Sequence, residues 1–195
     1  GVVVHDTAAL RSRLNQTVVD SAAHQGALSG LTESISTGIR QFFYQSRRDA
    51  VETLDTAVDR GLTHLPALAR RPDLAAQIFE AGIVLIRAAQ VTDATSLAAQ
   101  TVRRLTTAFP TKTPSLETAP PDIVELFSAA HADHASYGAV LRLGLPRDEC
   151  TAMINGITLA DATIPVAAET PYLIRLDCDR ETSRVRRVSV AVGQT

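Results

Sequence analysis

Near Tyr137 the apolar residues stop recurring every three to four positions and begin to alternate, so the chain must coil first and pleat afterwards. Upstream, Ile35, Ile39, Phe42 and Phe43 mark one amphipathic helix beginning near Leu31-Thr32. Ala50, Val51, Leu54, Ala57 and Val58 mark a second, begun after Ser46 and stopped at Gly61. Leu74, Ile78, Phe79, Ile83, Leu85 and Ile86 follow Asp73, and a restart at Thr92-Asp93 leads into Leu97, Val102, Leu105 and Phe109. These four helices are expected to form two antiparallel hairpins with short connections. Val2 to His5 reads as a short strand or lead, and Asp6-Thr7 opens a further helix through Leu10, Leu14 and Val18, broken by Gly26 to Gly30.

Past Tyr137 the pattern predicts strands. Val140, Leu141 and Leu143 make a first one, and Ile164 with Val166 makes a short edge. Residues 172–178 and 184–192 alternate over longer runs. Asn155-Gly156 lies between two apolar runs, residues 151–154 and 157–159, and is a strong hairpin signal because a type I′ turn needs φ > 0 at both central residues. Between the two halves, Pro110, Pro114, Pro120 and Pro121 are too dense for a helix interior or a central strand. Pro121 suits the first turn of a bracing helix carrying Ile123, Val124, Leu126 and Phe127. The expected fold class is α+β, with N-terminal α-helical hairpins followed by a small antiparallel β-sandwich. The boundaries are an α-helical domain over 1–109, a Pro-rich linker and bracing helix over 110–136, and a β-sandwich domain over 137–195.

Composition narrows the function class. A chain of 195 residues can bury a sizeable core without metals or dense cross-links. Aromatics make up 4% and Trp is absent, so that core is built from Ala, Leu, Val and Ile. A net charge of −2 argues against a nucleic-acid partner, which calls for a concentrated positive surface. No apolar run approaches the ~20 residues of a membrane span. Gly1 before Val2-Val3-Val4 reads as a mature start with room for a removed targeting segment, and a membrane anchor beyond Thr195 is left open.

Cys150 and Cys178 bracket the hairpin at strand ends, and a disulfide is expected, implying an oxidising compartment. The alternative is two unpaired small hydrophobes. A bridge closing a loop of about 29 residues would stabilise by roughly 3.5 kcal/mol.

Catalytic groupings are not evident. His131 and His134 lie three apart on a helix, but a third ligand and the His-Glu-x-x-His spacing are missing, so no metal is expected. There is no Gly-x-Ser-x-Gly elbow and no phosphate-cradling loop, so neither an enzyme nor a cofactor is expected. Arg184, Arg186 and Arg187 fit either contact with an acidic cell-wall glycan or a charged strand that resists edge pairing.

The order Cys150, apolar strand, Asn155-Gly156, Ile164-Pro165-Val166 and Tyr172-Leu173-Ile174-Arg175-Leu176-Asp177-Cys178 resembles the PEGA domain, a small β-module of bacterial cell-envelope proteins. The naming Pro-Glu-Gly-Ala signature is replaced here by Ala168-Glu169-Thr170-Pro171. Upstream, FFYQSRRDAVETLDTAV and LIRAAQVTDATSLAAQTVRRLTTAFP resemble degenerate tetratricopeptide helices, although their spacing exceeds the ~34-residue unit by about ten residues. The connection SLETAPPDIVELFSAAHA is similar to that of myxobacterial envelope proteins in which helical repeats precede such a module. The resemblance spans residues 34–192. It implies a non-catalytic scaffold or protein-interaction module in the periplasm or cell envelope, with a protein as partner. In tetratricopeptide proteins the first helix of each pair lines the ligand face, which makes Arg40, Gln41, Tyr44 and Arg47 the candidate partner-binding residues. Two other classes remain as alternatives: a sensory or regulatory ectodomain of a membrane-anchored protein, and a small ligand-binding protein or enzyme.

Overall fold

The computed structural model describes residue 26 and residues 28–137, 139–143, 150–178 and 181–191, without the side chains of 134–137 and 181–184. The strand or lead at Val2 and the helix expected from Asp6 lie outside them. Helix α1 (Leu31–Tyr44) turns at Gln45-Ser46 into α2 (Arg47–Thr63). The hydroxyl of Ser46 caps α2 by accepting from the Asp49 amide at 3.3 Å. A single turn, α3 (Leu65–Leu68), leads to the long α4 (Pro72–Val91), then α5 (Thr95–Ala108) and, after the proline-rich connection, α6 (Pro121–Tyr137).

Helix α4 is the centre of the helical part and packs against α1, α2, α5 and α6. Ile78, Phe79, Leu85 and Ile86 are all fully buried. This helix also corrects one expectation from the sequence. Among the described residues it is the one helix long and apolar enough to cross a membrane by length and composition, at 20 residues and a mean hydropathy of 1.4. Asp73, Glu80 and Arg87 interrupt the run, and 61% of its apolar window is buried against neighbouring helices, as befits a core helix.

Two helix boundaries also differ from expectation. Gly61 does not stop α2, which continues to Thr63; it lies opposite Ile78 of α4, where an added Cβ would run into the Ile78 side chain. Gly38 meets Leu54 and Gly82 meets Leu105 in the same way, so the pairs α1–α2, α2–α4 and α4–α5 each close on a residue without a side chain. Thr92 belongs to the end of α4, donating its hydroxyl to the Ala88 carbonyl at 2.8 Å, and Asp93 turns the chain at φ 60 before α5 begins. Across α2 and α5, Arg104 donates to Asp55 at 3.0 Å and to Asp59 at 2.7 Å. Ile123 and Phe127 of α6 enter the same core, the Phe127 ring 5.5 Å from Phe79 in an edge-on arrangement.

The strands form two antiparallel sheets. Strand β1 (Ala139–Arg142) pairs with β4 (Thr163–Val166). The larger sheet has the order β3 (Ile157–Thr158), β2 (Cys150–Ile154), β5 (Tyr172–Cys178), β6 (Glu181–Val188). Leu141, Ile164 and Val166 from the small sheet share one apolar cluster with Ile154, Tyr172 and Ile174 from the large one. The molecule is therefore α+β, helices first. Strand β6 ends at Val188 instead of reaching Val192: Val190 turns into the cluster and its carbonyl accepts from the Glu169 amide at 2.8 Å. Glu169 has φ 58, so the turn that carries Ala168-Glu169-Thr170-Pro171 takes a left-handed residue without a glycine. Cys150 and Cys178 face each other in the β2–β5 register and are joined by a disulfide, Cα to Cα 4.3 Å.

The two parts meet where α6 packs on β1 and β4 and, through specific hydrogen bonds, at the hairpin tip. Asn155 and Gly156 have φ 48 and φ 86, the type I′ combination. Asn155 is fully buried. Its amide nitrogen donates to the Ala108 carbonyl at 2.7 Å, satisfying a carbonyl at the end of α5 that has no partner within the helix. Its side-chain oxygen accepts from the Leu173 amide at 2.9 Å, and its own amide donates to the Leu173 carbonyl at 2.9 Å. One side chain thus extends the β2–β5 ladder and caps a helix. Gly156 sits so close to α3 that a Cβ would lie 2.5 Å from the Leu68 carbonyl oxygen and 3.0 Å from the Ala75 Cβ. Ile157 beyond it packs on the helical core.

Candidate functional site

The far end of α1 carries an exposed aromatic cluster. Leu31, Ile35 and Gly38 define the buried face of this helix, and Phe42 lies partly buried against the core. The next two residues step around the helix into solvent: Phe43 is 53% exposed and Tyr44 is 84% exposed. The chain then reverses at Gln45, whose amide donates to the Gln41 carbonyl at 3.0 Å, and this tight turn leaves the Tyr44 ring uncovered. Phe42 and Phe43 meet edge to face with centroids 4.9 Å apart. The Arg87 guanidinium of α4 lies 5.5 Å from the Phe42 centroid and 5.9 Å from that of Phe43, within reach of both ring faces. Val91, one turn beyond Arg87, is also more than half exposed.

The sequence-derived candidates gather around this cluster. Arg40 stands one turn before Tyr44 and Arg47 opens α2; both are exposed. Gln41 is half-buried, and its side-chain oxygen is enclosed without a hydrogen-bond partner. Arg87 and Phe43 join them in the structure without being picked out by the sequence. Arg87 was hidden because it sits in the otherwise apolar run Ile83 to Ala89, 40 or so positions away, and only the packing of α4 on α1 brings it to the aromatic rings.

A second concavity, a shallow cleft of about 410 Å³, lies at the junction between α2, α5 and the hairpin tip. Leu62, Leu65, Arg103, Arg104, Asn155 and Thr170 are among its lining residues, and the lining holds no His, Cys or Ser. Arg104 is already committed to Asp55 and Asp59, and Asn155 to Ala108 and Leu173. Two of its polar side chains are therefore engaged within the fold, while Asp59, Thr63, Arg103 and Thr107 complete the polar lining.

The other groups singled out in the sequence have ordinary surroundings. His131 places Nε2 3.3 Å from the Lys112 carbonyl oxygen and its ring against Phe127, while the His134 side chain lies outside the described residues. Among the described residues no group of three or more His, Cys, Asp or Glu is placed to hold a metal ion. Arg186 and Arg187 are exposed on β6, which is an edge strand, where their charge opposes pairing with another chain. The Arg184 side chain lies outside the described residues.

Among the described residues Tyr172 is the one buried titratable group with a large shift. Its hydroxyl accepts from the Ala167 amide at 3.0 Å, tying the Glu169 turn to the start of β5. Burial pushes the phenol up to about 12, and the hydrogen bonds from Ala167 and Thr170 offset this only in part. It serves the turn. Compared with known proteins, the chain matches no family model, no curated protein and no solved structure.

Proposed function

We propose that this chain is a non-catalytic cell-envelope scaffold or protein-interaction module. In this reading tetratricopeptide-like helical hairpins hold a protein partner through the end of α1, and a PEGA-like β-sandwich acts as a rigid spacer or attachment unit. The observation that carries it is the uncovered Phe43-Tyr44 pair, bordered by Arg40, Arg47 and Arg87. Aromatic and arginine side chains are the residues most enriched among those that dominate protein–protein binding energy, and a contiguous exposed aromatic surface is uncommon on a protein that works alone. The Cys150–Cys178 disulfide is compatible with an oxidising compartment, which supports placing the protein in the periplasm or envelope. The Asn155 contacts support the spacer role, because a unit pinned to the helices by its hairpin tip transmits position.

Site-specific photocross-linking tests this directly. A photoreactive residue in place of Tyr44 is expected to give a discrete adduct in cells, and the same residue in place of Leu116, another largely uncovered apolar position, is not. Phe43→Ser in the same chain is expected to abolish the adduct. Absence of an adduct at Tyr44, or equal adducts at both positions, would remove the partner-binding reading.

A further inference from the structure

The aromatic end of α1 is also a place where positive charge goes unanswered. Three described arginines are ion-paired: Arg71 with Asp73 at 2.9 Å, Arg104 with Asp55 and Asp59, and Arg175 with Asp177 at 2.7 Å. Others, such as Arg103 and Arg186, are unpaired as well, and what sets the α1 end apart is that its unpaired arginines border exposed rings. Arg40, Arg47 and Arg87 have no ion pair or hydrogen bond from their side chains, although acidic residues outnumber basic ones, 21 to 19, over the whole chain. Arg87 spends its charge only on the faces of Phe42 and Phe43, an interaction that leaves its guanidinium donors available for a carboxylate. Exposed rings flanked by unpaired guanidinium groups complement a segment that offers carboxylates on either side of an apolar anchor.

From this charge complementarity we infer that the partner engages α1 through an acidic peptide segment with a leucine or aromatic anchor. The anchor would cover Phe43 and Tyr44, with Glu or Asp side chains reaching Arg40, Arg47 and Arg87. Arg forks grip carboxylates in two-point fashion, so the acidic positions would fix the segment's register while the rings supply apolar contact. This inference rests on the partner-binding reading above and specifies its chemistry.

The probe is a fluorescein-labelled synthetic peptide of alternating glutamate and leucine or phenylalanine, followed by fluorescence anisotropy with the intact protein. Binding is expected, weakened at least tenfold by the double substitution Arg40→Glu/Arg47→Glu and by Phe43→Ser/Tyr44→Ser, and weakened again as salt is raised. Arg40 and Arg47 are exposed and unpaired, so the charge-reversed protein is expected to keep its circular dichroism spectrum and melting temperature. The same peptide with lysine in place of glutamate is expected not to bind. No binding by the acidic peptide, equal binding by the lysine peptide, unchanged affinity after Arg40→Glu/Arg47→Glu, or tighter binding of an oligothymidylate would each overturn the inference. The Tyr44 cross-link separates the two readings: an adduct whose captured segment is basic or uncharged refutes the acidic segment and leaves partner binding standing.

Discussion

Among the described residues, 26 buried ones form one apolar cluster in the helical part, whereas the cluster of the β part has eight. Each large apolar side chain fully buried contributes roughly 1.5–3 kcal/mol, so the helices can be held by packing alone and the strands are short of it. The β part makes up the difference with fixed links at its two ends. A disulfide joins β2 to β5 at one end of their ladder, and Asn155-Gly156 seats the other end on α3, α4 and α5. Stability in the first region is spread over many interchangeable contacts. In the second it is concentrated in a few residues that have no substitute.

That contrast is broken most forcefully at the hairpin tip. Gly156→Ala places a side chain at φ 86 and against the Leu68 carbonyl, and is expected to destabilise the fold by about 4 kcal/mol, measured by urea denaturation. Removing the disulfide with Cys150→Ser/Cys178→Ser is expected to cost about 3.5 kcal/mol, chiefly in the β signals, because the loop it closes no longer restricts the unfolded chain. Asn155→Gly keeps the left-handed turn but leaves the Ala108 carbonyl and the Leu173 amide unpaired, for an expected loss of about 3 kcal/mol.

Alkaline titration sharpens the comparison with a smaller effect. Tyr172 has its folded pKa raised to about 12 from an ordinary value of 10.0, so its contribution is fully present below pH 10 and is lost as pH rises through 12. A two-unit shift corresponds to about 2.7 kcal/mol, to be read as loss of stability between those limits and absent in Tyr172→Phe. The smallest effect belongs to the helices: Arg104→Ala removes its ion pairs with Asp55 and Asp59 from a partly exposed site and is expected to cost under ~1 kcal/mol.

The sequence makes these regions legible to different degrees. The change of period at Tyr137 and the type I′ turn at Asn155-Gly156 follow from local rules, since alternation and turn chemistry are properties of neighbouring residues. The placing of Cys150 and Cys178 at strand ends makes their disulfide an expectation, and the β2–β5 register decides it against two unpaired thiols. The second role of Asn155 does not. Its acceptor, the Ala108 carbonyl, is a backbone group 47 positions away, and every residue has one. At a helix end glycine most often acts through the backbone, as a stop, yet Gly61 serves the approach of α4. On the candidate surface, Arg40, Gln41, Tyr44 and Arg47 can be picked out from α1 and its turn. Arg87 joins them only through packing between elements distant in the chain.

The most direct test is a urea titration followed by amide NMR signals from α4 and β5 in the wild-type protein and in Asn155→Gly. Pinned as described, the wild type should lose both sets of signals at one midpoint, and the variant should lose β5 at lower urea than α4. Separate midpoints in the wild type would mean that the strands stand without the helices, and coincident, unshifted ones in Asn155→Gly would mean that the hairpin tip does not hold the two together.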